Sequence, residues 1–147
     1  MPHVRTQIRE AAIAALTGLP TTQNRVYAGR TRPLPAHHEP ALLVYTREEV
    51  SERDAAGRPP ILAREVTLVV EGRVHVAVAP DDMLDQIASE VESALAADPR
   101  LAGKALDTML RRTAIEALAD GERHVGSVRM EFAVQYRTTQ TAPGVAV

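Results

Sequence analysis

The chain has 147 residues, with 17 basic and 19 acidic side chains, and a formal charge of −2 gives no reason to expect nucleic acid as a general partner. It has no cysteine, which excludes disulfides, thiolate nucleophiles and sulfur-ligated metals. Aromatics are only 3% (Phe132, Tyr27, Tyr45 and Tyr136), so Val, Leu, Ile and Ala must build the core of what reads as one domain, residues 1–147.

A chain of this size can bury roughly 70% of its unfolded surface. A core so thin in large side chains would gain from association with other subunits. The first sixteen residues lack an uninterrupted apolar stretch and carry Arg5, Arg9 and Glu10, so no signal peptide is expected. No apolar run approaches the ~18 residues needed to cross a bilayer, and the expected location is the cytoplasm.

Val4, Ile8, Ala11, Ala12, Ala15 and Leu16 recur at helical spacing until Gly18 and Pro20 stop the pattern, which predicts an amphipathic helix over residues 3–17. Its mostly alanine stripe permits close approach to a sheet or another helix. Residues 25–28 are a short strand ended by Gly29. Prolines 33, 35 and 40 then make residues 30–40 an extended loop, because proline suits neither a helix interior nor a central strand. Residues 41–46, ALLVYT, are a continuous apolar run suited to a strand buried on both sides. The charged stretch 47–60 with Gly57, Pro59 and Pro60 reads as a long mobile loop.

From about residue 63 to 78, Val66, Leu68, Val70, Val74, Val76 and Val78 share one parity and predict a long strand, with Gly72 marking a bulge or sharp twist. Asp81 or Asp82 is placed to cap the next helix, whose buried stripe is Leu84, Ile87, Ala88, Val91 and Leu95. Over residues 106–119 the local pattern favours helix, since Leu106, Met109, Leu110, Thr113, Ala114, Ala117 and Leu118 follow helical spacing. Asp120-Gly121 is nonetheless a turn dipeptide of the hairpin kind, placed just before a strict period-two strand. In that strand, residues 126–139, Val128, Met130, Phe132, Val134 and Tyr136 face inward and Arg129, Glu131, Ala133, Gln135 and Arg137 outward. Residues 140–147 have no pattern and are expected to be loose. The fold class is α+β: a mixed or antiparallel sheet flanked by an N-terminal helix and a central amphipathic helix.

Catalytic apparatus is not visible. His37-His38-Glu39 offers adjacent histidines that point apart on extended backbone, so a shared metal is disfavoured. Asp81, Asp82 and Asp85 sit at a helix start, where carboxylates meet free amides and the positive end of the dipole. Ser51, Ser89, Ser93 and Ser127 lie in no nucleophile elbow, and Gly103-Lys104 lacks the upstream glycine of a phosphate loop. No cofactor is implied. The arginines of the two loops, mixed with Glu39, Glu48, Glu49, Glu52 and Asp54, instead have the mixed sign of polar docking surfaces. The candidate interface residues are Arg30, Arg32, Arg47, Glu48, Glu49, Glu52, Arg53, Arg58 and the exposed pair Arg111 and Arg112.

The order of landmarks is an N-terminal helix, VYAGR, a Pro-rich loop, PALLVYT, a charged stretch, REVTLVVEGRV, DDMLDQIASEVESAL, DPRL and GSVRMEFAVQYRT. Over roughly residues 4–139 it resembles the tail terminator (minor tail protein U-like) proteins of long-tailed phages, prophages and gene transfer agents. The resemblance implies a structural, non-enzymatic subunit in a six-fold homo-oligomeric ring at the head-proximal end of a virion tail, assembled in the bacterial cytoplasm. Its implied partners are further copies of itself, the tail tube protein and a head completion or connector protein. DNA would pass through the lumen without specific binding, and no membrane is involved. The resemblance also implies a strand, not a helix, over residues 105–119, paired with the last one. Two alternatives stay open: another head–tail neck or tail-completion protein, and a dimeric α+β domain that binds a small molecule.

Overall fold

The computed structural model describes residues 1–29, 38–121 and 123–147. The chain runs α1 (Val4–Leu16), β1 (Val26–Ala28), β2 (Ala41–Ala55), β3 (Ile61–Val76), α2 (Asp81–Ala97), β4 (Asp107–Asp120) and β5 (Arg123–Thr139). The strands form one five-stranded sheet in the order β1-β2-β3-β5-β4. Among the described residues only β1 with β2 is parallel; the other pairs are antiparallel, so the sheet is mixed. Arg30 and Arg32, and most of the Pro-rich stretch, lie outside the described residues.

The core follows from the two periodicities. Val4, Ile8, Ala12 and Leu16 of α1 and Leu84, Ile87, Val91 and Leu95 of α2 pack on one sheet face with Leu42, Val44, Leu68, Val70, Val128, Met130 and Phe132. Each fully buried aliphatic side chain stabilises the fold by roughly 1.5–3 kcal/mol. Among the described residues no helix covers the opposite face. In β2, Ala41, Leu42, Leu43 and Val44 are all fully buried between β1 and β3, as the apolar run predicts.

Helix α1 begins where the imidazole Nδ1 of His3 accepts the backbone N–H of Arg5 at 3.1 Å, and it ends before Gly18 at φ 91°. Helix α2 differs from expectation at its start. Its N-cap is Pro80, with no side-chain cap bond, so Asp81 and Asp82 in the first turn act on the helix dipole and not as caps.

Four further features depart from the local sequence pattern. Residues 47–55 are strand, not loop: β2 continues against β3 from Glu49↔Val66 to Ala55↔Ile61, and only residues 56–60 form the connection. The cause is β3, which is itself paired with β5 as far as Ile61↔Thr139 and offers β2 an unbroken backbone edge. Side-chain polarity does not oppose such pairing when both faces are exposed.

Gly72 is not at a bulge, for it pairs in register with Leu42 on one side and Val128 on the other. A Cβ there would lie 2.8 Å from Ile87 Cγ2 and 3.0 Å from Val128 Cγ1, so the glycine admits α2.

Residues 107–120 are strand despite the local helical spacing, in agreement with the resemblance. Helix propensity separates these residues by only a few tenths of a kcal/mol each. That is less than the ladder of hydrogen bonds that β5 offers along its free edge. Leu110 stays half-buried against the core, while Leu106, Met109 and Leu118 of the apparent helical stripe are exposed.

The patternless residues 140–147 fold back onto the domain. Pro143 O accepts the N–H of Val4 at 2.9 Å, Gly144 O accepts Gln7 Nε2 at 2.8 Å, and the Val147 N–H reaches Arg137 O at 2.9 Å.

Candidate functional site

Two polar constellations stand out, one on each face of the sheet. The first is centred on Glu49. The register jumps between Thr46/Leu68 and Glu49/Val66, so β2 carries one residue more than β3 there. This bulge turns Glu49 to the helix side, where its side chain is only 9% exposed. Its Oε2 accepts Arg5 Nη1 at 2.6 Å and Arg64 Nη1 at 3.2 Å, while the Tyr136 hydroxyl donates to Oε1. Arg64 also donates from Nε to Thr138 Oγ1 at 3.0 Å and lies over the Tyr136 ring, 6.0 Å from its centroid.

Burial, then the bond to Glu49, pushes the Tyr136 hydroxyl well above its ordinary pKa. Burial, then the nearby Arg5 and Arg64 guanidiniums, hold His3 below 6.5. The group joins the start of α1 to β2, β3 and β5. It is an ion-pair network in which both carboxylate oxygens are already engaged by the protein's own donors.

The second constellation lies on the face without helices. Glu71 and Glu131 are 8% and 7% exposed. Arg73 Nε donates to Glu71 at 2.8 Å, and Arg129 approaches its other oxygen at 3.6 Å. Glu131 is held by Arg47 at 3.1 Å and Arg112 at 3.6 Å. Each carboxylate is thus paired with two arginines, on a face where Leu43, Val69 and Ala133 are buried although no described helix lies above them.

The expected interface residues therefore divide. Arg47 and Arg112 converge on Glu131 from different strands, and Glu48 is exposed beside Arg47 at 3.4 Å. Glu52 and Arg53 are exposed on the distal half of β2, Arg58 is exposed in the turn, and Arg111 is exposed at the bulge between Leu110 and Arg112. Glu49 is the exception, turned inward and committed to Arg5, Arg64 and Tyr136. Sequence alternation missed Glu71, Arg73, Arg129 and Glu131 as a group, since it assigns that parity to solvent. The one legible signal was the pair of acid–arginine i, i+2 steps in two strands that prove to be neighbours, Glu71 standing opposite Arg129.

A concavity of about 550 Å³ lies along the β2–β3 hairpin, lined by Val50, Glu52, Glu65, Gln135 and Arg137 among others. It is a shallow groove, and Arg137 is paired there with Asp54. Among the described residues no three His, Asp or Glu side chains are grouped to hold a metal ion. His38 instead meets the Tyr27 hydroxyl at 3.3 Å, and His37 lies outside the described residues. No described helix is long and apolar enough to cross a membrane.

No family model matches the chain, and no curated protein matches it. Among solved structures, it is similar to a chain of the virion of a native gene transfer agent particle, at 14% identity, over 90% of this chain and 92% of that one, with a TM-score of 0.35.

Proposed function

We propose that this chain is a structural, non-enzymatic subunit of a virion tail. It forms a ring of six copies that caps the tail tube, ends tube growth and presents its other side to the head connector. The observation that carries the reading is the β2–β3 hairpin. Its residues 47–58 carry Arg47, Glu48, Glu52, Arg53, Asp54 and Arg58 exposed on a segment held as strand to Ala55, an ordered charged surface instead of a loose loop. An ordered, mixed-sign surface suits docking that must recur identically around a ring. The order of elements along the chain, including the strand at Asp107–Asp120, agrees with what the terminator resemblance implies.

The mechanism is geometric. A heterologous contact that turns by a fixed angle closes on itself, and a ring whose two sides differ admits tube subunits on one side only. Polymerisation then stops without bond chemistry, and DNA would traverse the lumen without being read. Subunit, tube and connector are the partners, and the head-proximal end of the tail is the location.

Native mass across a concentration range, at low and moderate salt, tests the ring. A six-chain species, or a smaller one that converts to it with concentration, is expected. An assembly that stops at two chains at every concentration would overturn the ring.

A further inference from the structure

We propose that the free edge of β4 pairs with β4 of a second copy of this chain, antiparallel and two-fold, centred on Ala114. This goes beyond the ring reading and does not depend on it, because a two-fold contact is closed and uses another surface.

Strand β4 is the outermost of the sheet, and among the described residues nothing pairs with its outer side. Beyond the bulge at Leu110/Arg112 it runs in unbroken register with β5 from Arg112 to Asp120. That segment contains neither proline nor lysine, the usual guards of an open edge. Its apolar side chains remain out in water, Ile115 at 50% and Leu118 at 71% exposure. A long edge of this composition is a template for another strand.

The charges select the occupant and the register. Arg112, Ala114 and Glu116 share one face, opposite Glu131, Arg129 and Ser127 of β5. In a two-fold antiparallel pair centred on Ala114, residues two before and two after the centre stand opposite each other. Arg112 of each copy then faces Glu116 of the other, twice over, while Thr113 faces Ile115 on the other side. Centring on Glu116 would oppose two carboxylates, and centring on Thr113 or Ile115 would leave both charges facing apolar residues. Arg112 is free to make the contact: its side chain is 69% exposed and its present bond to Glu131 is long, at 3.6 Å. Glu131 keeps Arg47 when Arg112 swings away, and Glu116 has no ion pair among the described residues.

The test is sedimentation equilibrium on the full chain and on Arg112→Glu, Glu116→Arg and the double reversal, with circular dichroism to confirm folding. The wild type should dimerise, and either single reversal should raise the dimer dissociation constant roughly tenfold or more, since two cross-strand pairs become repulsive. The double reversal should restore dimerisation. An equimolar mixture of the two singles should form the heterodimer while neither pairs with itself. If Arg112→Glu is perturbed by Glu131, the Glu116→Arg variant carries the test alone. A monomeric wild type, a dimer indifferent to these charges, or a double reversal as weak as the singles would overturn the pairing. A six-chain ring unaffected by the reversals overturns this pairing and leaves the ring reading standing; a charge-sensitive dimer that never grows does the reverse.

Discussion

At Glu49 a residue drawn from a charged stretch becomes part of the interior, because one extra residue in β2 reverses its facing. Its carboxylate then balances Arg64, whose side chain is only 10% exposed, while Arg5 is 38% exposed and solvated enough to matter less. Glu49→Gln keeps the shape but leaves the Arg64 guanidinium without its counter-charge, and should cost about 2–3 kcal/mol in urea unfolding. Tyr136→Phe, which removes one hydroxyl donor, should cost about 1 kcal/mol. Equal losses from both would mean that the hydrogen bond, not the charge, matters.

His3 supplies a pH signature. Its folded pKa lies below 6.5, so protonation favours the unfolded chain. The stability it contributes is complete above the unfolded value and is lost as pH falls from about 6.5 through the lower folded value. Protonation also removes the acceptor that caps α1. His3→Asn keeps a capping oxygen without the titration, so its unfolding free energy should change less than the wild type's between pH 7 and 5. An unchanged slope would remove His3 from the acid response.

Among the elements, α2 and the sheet meet where side chains are missing. Gly72 leaves room for Ile87, and Gly126 for Leu84 and Pro80. Gly72→Ala would ordinarily favour a strand, since alanine loses less backbone entropy than glycine. Here the added methyl strikes Ile87 and Val128, so a net loss of about 1–3 kcal/mol is expected in thermal denaturation, with Val74→Ala as a cavity-forming comparison of opposite sense. The same region shows what the sequence could disclose. A glycine inside a period-two run is visible, but whether it answers a bulge or a helix overhead depends on α2, which lies elsewhere in the chain. Helix α2 itself was legible throughout its stripe, because its helical spacing and its burial agree. Strand β4 was not legible locally, since its helical spacing reflects side chains that the sheet leaves in water.

Across the whole molecule the sheet has a helix-covered apolar face and an opposite face where arginines pair with two buried carboxylates. The charged β2–β3 hairpin extends this second surface, and the ring reading assigns it to docking. Joining Ser51 to Arg64 by a two-residue Asn-Gly turn removes residues 52–63 yet retains Glu49, Arg64 and their network. The shortened chain should keep its secondary structure by circular dichroism and lose the six-chain species in native mass measurements. Full assembly by the shortened chain would remove the hairpin from the contact.

By itself the sequence determined the elements whose local pattern and tertiary burial coincide: α1, α2, the apolar start of β2 and the alternating β3 and β5. The tertiary structure alone decided the distal half of β2, the role of Gly72 and the facing of Glu49, and for β4 it bore out the strand that the resemblance implied against the local helical spacing. In each case the deciding partner is a backbone edge or a packed side chain on another element, and hydrogen bonds between strands are indifferent to the polarity on which sequence reading depends.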